Sequence, residues 1–210
     1  MAAGRVTVGG EVVRDPALDV GEGDEVRVDG GLVGAEALEV WAVNKPAGVV
    51  STAREPGSRT AVVELVDSTA RLYPVGRLDA DSTGLLLLTN DGALANRLTH
   101  PRYEVRKAYR VQLRRPPADG DLRRLASGVQ LEDGPTAPAE VRRLGEREIE
   151  IVLHEGRNRQ VRRMAEAAGN DVVALRRVRF GPVELGALPM GEARRLSGAE
   201  VASLWEDAET

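Results

Sequence analysis

The sequence contains no cysteine and only two histidines, His100 and His154. Without cysteine the chain can form neither a disulfide nor a thiolate zinc site, and two histidines are too few for a typical metal cluster. His154 and Glu155 begin like a zinc-protease helix, but Asn158 stands where that motif requires its second histidine. We therefore expect a protein that uses no metal and no cofactor.

Long apolar runs are also missing. No stretch approaches the roughly twenty apolar residues of a membrane-spanning helix, and the N-terminus, MAAGRVTV, lacks the basic and apolar regions of a signal peptide. We therefore expect no membrane partner and a location in the cytoplasm. The 210 residues are enough for one large domain, or for one domain with a small appendage.

The net charge of −4 argues at first against a nucleic-acid partner, because such proteins usually carry a basic surface. The charges are segregated, however. Residues 157–179 contain seven arginines against only Glu166 and Asp171, whereas acidic residues concentrate in residues 11–39 and at the C-terminus. Nearly all basic residues of this chain are arginines, so their clustering, rather than their abundance, indicates a local phosphate-binding surface.

Residues 76–92, GRLDADSTGLLLLTNDG, place one carboxylate, Asp79, beside a strongly apolar segment. Leu85–Leu88 is a continuous apolar run between turn residues, which predicts a fully buried strand. A carboxylate on a tight turn beside a rigid strand is well placed for catalysis, although an aspartate in such a turn is more often a cap or a solvated residue. Asp79 alone does not decide between these interpretations.

Residues 153–164, LHEGRNRQVRRM, form a second dense motif. The pattern predicts a strand that ends at Leu153, a turn at Gly156 and a helix over about 158–168. An apolar stripe on that helix leaves Arg159 and Arg162 off the core. Because a helix N-terminus carries unpaired amides and partial positive charge, we expect this corner to bind anions.

The remaining pattern predicts alternating strands and short helices. Lys45 follows a predicted strand over 39–43 and is expected at the tip of a turn, where it is either solvated or in contact with phosphate. Tyr109 lies on the apolar face of a predicted strand over 107–113, a position typical of core residues. The other predicted elements are helices over 60–67 (capped by Thr60), 93–99, 119–126 and 197–205, and strands over 135–144, 148–154 and 171–180.

Four motifs in order, NKPAGVVST, GRLDADSTGLLLLTNDG, KAYRVQL and LHEGRNRQVRRM, resemble the RsuA/RluB family of ribosomal RNA pseudouridine synthases. The resemblance covers about residues 39–204 and implies an α+β fold, with a mixed, mostly antiparallel sheet, peripheral helices and a central catalytic cleft. It also implies isomerisation of a uridine in ribosomal RNA or in a ribosomal precursor particle. The residues of the last motif are closer to those of the large-subunit enzymes, so we expect large-subunit ribosomal RNA as the substrate. Small-subunit ribosomal RNA is the alternative. We expect a monomer.

The same resemblance implies roles for individual residues. Asp79 matches the essential catalytic aspartate, and Tyr109 matches the tyrosine that packs on the target base. Arg162 matches the basic residue that pairs with the aspartate, and Leu153 matches an aliphatic residue of the base pocket. For such a reaction we expect the basic residues Lys45, Arg77, Arg157 and Arg159 to hold the RNA backbone.

Residues 5–30 alternate apolar and polar positions around glycine turns, which predicts short strands. This segment resembles the strand half of the RNA-binding domain of small-subunit ribosomal protein four, which normally begins with two basic helices. We therefore expect residues 1–38 to be a truncated, β-rich remnant of that domain, with RNA binding in doubt. Residues 39–210 then form the catalytic domain.

Two other functions remain open. A non-catalytic RNA-binding or ribosome-assembly factor would keep the arginine surface without turnover. A glycoside hydrolase would need a second carboxylate, for which Asp81 is the nearest candidate, but neighbouring positions in a tight turn tend to point apart. The synthase hypothesis makes a geometric prediction: the Asp79 carboxylate and the Arg162 guanidinium should meet in one cleft.

Overall fold

The computed structural model describes residues 1, 3–21, 23–34 and 36–207, and the chain divides into two compact units, Met1–Ala37 and Leu38–Thr210. The described part of the smaller unit holds a four-stranded antiparallel sheet in the order β2-β1-β3-β4. Its short strands are β1 (Val6–Val8), β2 (Glu11–Val12), β3 (Val26–Val28) and β4 (Gly31–Leu32). The predicted β-rich N-terminal appendage is thus confirmed.

The described part of the larger unit is built on one nine-stranded sheet. The central strands run in the order β11-β12-β8-β13-β7-β5-β15, with β14 paired to β13 and β6 to β7, and the separate β9 and β10 form a two-stranded ladder. Strands β5 to β10 are Val40–Lys45, Tyr73–Val75, Thr83–Thr89, Lys107–Leu113, Gln130–Leu131 and Gly134–Pro135. Strands β11 to β15 are Glu140–Arg143, Glu148–Leu153, Val172–Phe180, Val183–Glu184 and Ala193–Arg195.

Four α-helices lie beside the sheet: α1 (Gly92–Thr99), α2 (Asp119–Ser127), α3 (Gln160–Ala167) and α4 (Gly198–Asp207). Among the described residues, the pairing of β7 with β13 is parallel and the other strand pairs of this sheet are antiparallel. The predicted α+β fold with a mixed, mostly antiparallel sheet is confirmed. Within the same described ranges, no helix is long and apolar enough to cross a membrane.

Strand β7 is the most deeply buried element of the fold. Leu85, Leu86, Leu87 and Leu88 are each 0% exposed, as the apolar run predicts. Side chains of a strand alternate between its two faces, so this strand serves two cores: Leu85 and Leu87 pack with α1 and α4, whereas Leu86 and Leu88 pack on the other side. The Asp79 turn is therefore joined to a fully buried strand.

Gly84 allows β7 and β13 to approach closely. Its φ of +100° lies in a region that residues with a side chain rarely adopt, and a Cβ atom here would lie 2.2 Å from the carbonyl oxygen of Arg177. The parallel pairing aligns Gly84 with Arg177 and Thr83 with Arg176. This contact brings the start of β7, and with it the Asp79 turn, beside the arginines of β13.

Several element boundaries differ from the sequence predictions. The helix predicted over 60–67 is a 3₁₀ turn, Val62–Leu65, and Ala61 rather than Thr60 precedes it. Its cap is formed by Glu64, whose carboxylate accepts from the Ala61 amide at 2.9 Å. The strand predicted over 135–144 is interrupted, because β10 ends at Pro135 and β11 begins at Glu140. In both cases side-chain and tertiary hydrogen bonds outweigh the local pattern.

Candidate active site

A cleft of about 440 Å³ opens beside the Asp79 turn. Residues 76–79 and 153–161 form two of its walls, and the strand residues Lys107, Tyr109 and Arg177 also line it. The motifs at residues 76–92, 107–113 and 153–164 thus reach the same cleft from separate parts of the sequence. Its volume is within the range of about 300–1,000 Å³ that is usual for small-ligand sites.

The Asp79 turn is held by hydrogen bonds from the loop that follows β5. The Ser51 hydroxyl donates to the Leu78 carbonyl oxygen at 2.7 Å and accepts from the Leu78 amide at 3.0 Å. The Gly48 amide donates to the Ala80 carbonyl oxygen at 2.7 Å. The first motif, which contains Gly48 and Ser51, therefore positions the backbone on both sides of Asp79.

Two carboxylates and two guanidinium groups form a chain of ion pairs at this turn. Nη1 of Arg159 lies 3.5 Å from Oδ2 of Asp79 and 3.6 Å from Oδ2 of Asp81. Nη2 of Arg162 lies 3.1 Å from the same oxygen of Asp81. The Asp79 side chain is 32% exposed, so that its carboxylate is held by a cation but remains accessible from the cleft.

The direct pair expected between Asp79 and Arg162 is not formed; both residues are described, and Asp79 pairs with Arg159. Helix α3 begins at Gln160, two residues later than predicted, and Arg159 precedes it in a left-handed conformation with φ of +49°. Arg162 is held elsewhere, since its Nη1 donates to the Val172 carbonyl oxygen at 3.2 Å and its Nη2 pairs with Asp81. Asp81, expected to point away from Asp79, shares a cation with it.

Tyr109 and Leu153 contribute the apolar part of the cleft wall. Leu153 is 3% exposed, and Tyr109 is partly buried and packs against two hydrophobic core clusters. In the sheet register Tyr109 lies between Ile151 of β12 and Arg177 of β13. Both residues line the same cleft as Asp79.

Lys45 does not occupy the exposed turn position that the sequence predicted. It is the last residue of β5, is 0% exposed, and donates from Nζ to the carbonyl oxygens of Pro46 at 2.9 Å and Val49 at 2.8 Å. Burial lowers the pKa of Lys45 to about 8, although the charges of Asp81 and Asp79 oppose the shift. A buried ammonium group is not available to a phosphate, so Lys45 supports the Asp79 loop from inside.

Arg157 likewise has a structural position. Its guanidinium group donates to the carbonyl oxygens of Gly134 at 3.1 Å and Pro135 at 2.6 Å, and its Nε lies 3.2 Å from Glu155. These contacts clamp the β9–β10 ladder to the segment before α3. The guanidinium is therefore largely occupied, because the neighbouring loop supplies the acceptors that were expected from RNA.

Arg77 has the exposure that contact with RNA requires. It lines the cleft, and among the described residues it forms no ion pair. Arg159 is also accessible, with 47% of its side chain exposed. Of the four basic residues expected to contact RNA, Arg77, Arg157 and Arg159 line the cleft, with the Arg157 guanidinium bonded to the β9–β10 ladder, whereas Lys45 is buried.

Lys107, Arg177 and Phe180 also line the cleft, although the sequence patterns did not single them out. Lys107 stands two residues before Tyr109 in the third motif. This spacing places both side chains on the same face of the strand and is the feature of the sequence that could have indicated Lys107 as a cleft residue. Arg177 lies between other arginines of β13, and its burial depends on the pairing of β13 with β7 and β8. No local pattern separates it from Arg176 and Arg179, which are only partly buried.

The comparisons with known proteins agree with this geometry. Residues 39–167 match the family model described as RNA pseudouridylate synthase. The chain is 41% identical over 208 residues to the ribosomal large subunit pseudouridine synthase B of Bacillus subtilis, covering 96% of this chain and 85% of the relative. It is 40% identical over 205 residues to the ribosomal small subunit pseudouridine synthase A of Escherichia coli, covering 95% and 89%.

A solved structure supports the same assignment. A crystal structure described as a pseudouridylate synthase superposes with a TM-score of 0.76 at 33% sequence identity, covering 97% of this chain and 90% of that one. The sequence match and the structural match both extend well beyond the individual motifs. This chain belongs to the RNA pseudouridylate synthase family and is an RNA pseudouridine synthase.

Proposed function

We propose that the enzyme converts a specific uridine of ribosomal RNA, in the large subunit, to pseudouridine, with Asp79 as the essential catalytic group. The observation that carries the proposal is the position of Asp79: an accessible carboxylate on a braced turn, paired with Arg159, at the wall of a cleft that Tyr109 also lines. The proposed site of action is the cytoplasm, where ribosomal RNA is available.

Pseudouridine formation breaks the N1–C1′ glycosidic bond and rejoins the base through C5. A base inside a helix or loop is out of reach, so the target nucleotide must be flipped into the cleft, and stacking and phosphate contacts offset the cost. In this proposal Tyr109 packs on the flipped base, and Leu153 excludes water from it. Arg77 and Arg159 hold the RNA backbone at the cleft surface.

Asp79 begins the reaction as an ionised carboxylate, either by attack on C1′ or C6 or by assisting loss of the 2′ proton. Arg159 keeps the carboxylate oriented before RNA arrives, and Arg162 reaches the same turn through Asp81. When phosphates bind Arg159, its hold on Asp79 weakens and the carboxylate is freed for the substrate. The resting ion pair is therefore part of the proposed cycle.

The first test uses Asp79→Asn with ribosomal RNA that carries tritium at C5 of uridine. The wild type is expected to release tritium, and Asp79→Asn to release none while RNA binding persists, because an amide cannot act as nucleophile or base. Asp91→Asn is the matched control in the same motif. Asp91 caps α1 by accepting from the Leu94 amide at 3.0 Å, and asparagine can cap in the same way. Retained turnover by Asp79→Asn would contradict the assignment of Asp79 as the catalytic group.

The second test identifies the substrate. Carbodiimide mapping of both ribosomal RNAs, with and without the gene, is expected to reveal one missing pseudouridine in the large-subunit RNA of the deletion strain. A missing site in the small-subunit RNA would favour the alternative substrate, for which the E. coli small-subunit relative is the supporting observation at 40% identity. Identical maps in the two strains would instead favour a binding or assembly role.

We infer that the β-rich unit of residues 1–37 is related to the strand half of the ribosomal-protein-four type of RNA-binding domain. The inference is supported by its short antiparallel strands around glycine turns. The composition of the unit is acidic rather than basic, so we assign it a minor share of the RNA affinity.

A further inference from the structure

Arg177 is a buried cation of the cleft that has no assigned role. It is 2% exposed, lines the cleft, and pairs with Tyr109 in the register of β8 and β13. Its Nε donates to the Leu85 carbonyl oxygen at 2.6 Å. Its Nη2 is buried without an acceptor among the described residues. The guanidinium group is thus anchored at one nitrogen and has unused donors beside the cleft.

Lys107 places a second cation at the same ring. Its Nζ lies 5.2 Å from the centroid of the Phe180 ring, and the guanidinium carbon of Arg177 lies 5.0 Å from that centroid. Burial and the charge of Arg177 lower the pKa of Lys107 to about 8, and Asp207 opposes this with a smaller effect. Among the described residues neither cation has an ion-pair partner; Nζ of Lys107 donates to the Val105 carbonyl oxygen at 2.7 Å.

Two neighbouring cations in a buried site are unfavourable without an acceptor, since water is removed and repulsion remains. An unpaired buried donor in a cleft therefore indicates that a ligand provides the acceptor. The surrounding wall is apolar or aromatic, with Leu153, Leu175 and Phe180 in the lining. A flat ring that carries a carbonyl oxygen fits this combination of surfaces.

We propose that Arg177 donates to O4 of the flipped uracil, that Lys107 adds its positive charge at the same place, and that both stabilise the negative charge this oxygen gains during the reaction. The inference deepens and rests on the proposed function, because it requires a target uridine beside Asp79. It assigns to Arg177 a direct contact with the reacting base, and to Lys107 an electrostatic contribution.

The chemistry places charge on O4 whichever way Asp79 acts. When the N1–C1′ bond breaks, its electron pair stays with N1 and spreads to O2 and O4. Either an Asp79 oxygen then bonds to C1′, or C2′ loses its proton and a double bond forms between C1′ and C2′. When Asp79 instead adds to C6, the electron pair of the C5–C6 double bond moves towards O4. Finally C5 bonds to C1′ as the bond from Asp79 to C1′ or C6 breaks, or as the proton returns to C2′; the C5 proton leaves and N1 takes up a proton, so that the product is an isomer and Asp79 is again a free carboxylate.

The same contact discriminates against cytidine. Cytosine carries an amino group at C4, which would place a donor against the donors of Arg177 and leave both unpaired. Uracil presents an acceptor at that position. Arg177 is therefore expected to contribute to base selection as well as to rate.

The test compares RNA that holds uridine with RNA that holds 4-thiouridine at the mapped target, under single-turnover conditions with the full chain. Nucleosides are quantified after digestion by chromatography and mass spectrometry. Sulfur is a weak acceptor, so the wild type should convert the 4-thio RNA about 10-fold more slowly. Arg177→Gln should convert the uridine RNA about 100-fold more slowly than the wild type does. The 4-thio effect, which is the ratio of the rate on the uridine RNA to the rate on the 4-thio RNA, should fall below about twofold in this variant because the interaction with O4 is already lost.

Arg176→Gln is the matched control. Arg176 is the preceding residue of β13 and lines a separate pocket with Arg110 and Glu150. This variant should keep the rate and the full 4-thio effect of the wild type. A purely structural role of Arg177 would slow both RNAs equally and leave the 4-thio effect unchanged.

Three results would overturn the inference. The first is an equal rate of the wild type on the two RNAs. This result needs no variant, so it does not depend on whether Arg177→Gln folds. The second is an equal 4-thio effect in the wild type and in Arg177→Gln. Arg177→Lys, which keeps the charge and the long side chain, should convert the uridine RNA faster than Arg177→Gln. The third overturning result is a rate of Arg177→Lys that is no higher than that of Arg177→Gln. No turnover of unmodified ribosomal RNA by the wild type would overturn the proposed function instead.

Discussion

At the scale of single residues, the Asp79 turn is surrounded by charges that stabilise one another. The Lys45 ammonium group lies inside the protein, near enough to Asp81 and Asp79 for their charges to affect its pKa. Arg159, in the cleft lining, pairs with both carboxylates, and Arg162 pairs with Asp81 alone. Asp79 is thus flanked by cations from the interior and from the surface, which limits the conformations of its turn.

Lys45 should make the stability of the enzyme depend on pH. Its pKa in the folded state is about 8, below the ordinary value of 10.5 that the unfolded chain has. Between these values the unfolded state binds more protons, so the free energy of unfolding rises with pH across this window. Below pH 8 both states are protonated, and the full cost of burying the charge is present.

The measurement is urea unfolding of the wild type and Lys45→Met at pH 7 and at pH 10. The stability of the wild type relative to the variant is expected to increase by up to about 3 kcal/mol between the two values. Lys107, whose pKa is also about 8, contributes equally to both proteins and cancels in the difference. The same difference at both pH values would contradict a buried, titrating Lys45.

At the scale of secondary-structure elements, the contact between β7 and β13 joins the two halves of the site. It is the parallel pair of the main sheet in the described chain, and it aligns Gly84 with Arg177. Strand β7 carries the Asp79 turn, and β13 carries the buried arginine of the cleft. The separation of these two strands therefore sets the distance between the groups that would act on sugar and on base.

Gly84→Ala tests this contact. The added Cβ would lie 2.2 Å from the Arg177 carbonyl oxygen and would also require an unfavourable φ, so the free energy of unfolding should fall by about 2–4 kcal/mol. Gly48→Ala is the control, since Gly48 has a φ of +89° but open space around its Cβ position. Its cost should be about 1 kcal/mol, the conformational penalty alone.

Chemical denaturation measures both variants. The difference between them isolates the steric contact from the backbone strain that they share. Equal losses in the two variants would mean that β13 can move away from β7 without cost, and would contradict a rigid junction between the strands.

At the scale of the whole molecule, the hydrophobic core clusters of the described residues belong to the larger unit. All residues of the three core clusters among the described residues lie between Val40 and Trp205. The unit Met1–Ala37 has instead a small sheet with several exposed apolar side chains, including Val12 and Leu32. The stability of the catalytic unit should therefore not depend on the smaller one.

Removal of residues 1–37 tests this independence. The remaining chain is expected to unfold cooperatively, with a free energy of unfolding within about 0.5 kcal/mol of the corresponding transition in the full chain. Tritium release from a short RNA with the target uridine should persist, because the described cleft lining lies within residues 76–180. Loss of cooperative unfolding would show that the smaller unit is needed for the catalytic fold.

The local pattern was sufficient for many elements. An uninterrupted Leu85–Leu88 run predicts a buried strand because four consecutive apolar side chains can avoid water only when both faces are covered. The Ser197–Glu200 capping box forms as predicted. The Ser197 amide donates to the Glu200 carboxylate, and the Glu200 amide donates to the Ser197 hydroxyl oxygen. Such features depend on neighbours within a few residues, which the sequence displays directly.

By itself the sequence determined the family and the α+β fold through its ordered motifs, and the resemblance of those motifs predicted that Asp79, Tyr109 and Leu153 share one site. Only the tertiary structure decided which arginine pairs with Asp79, that Lys45 is buried, and that Arg177 lies in the cleft lining. The physical reason is that arginine and lysine side chains are long and flexible. Their partners are chosen by strand register and helix start, which local sequence does not specify.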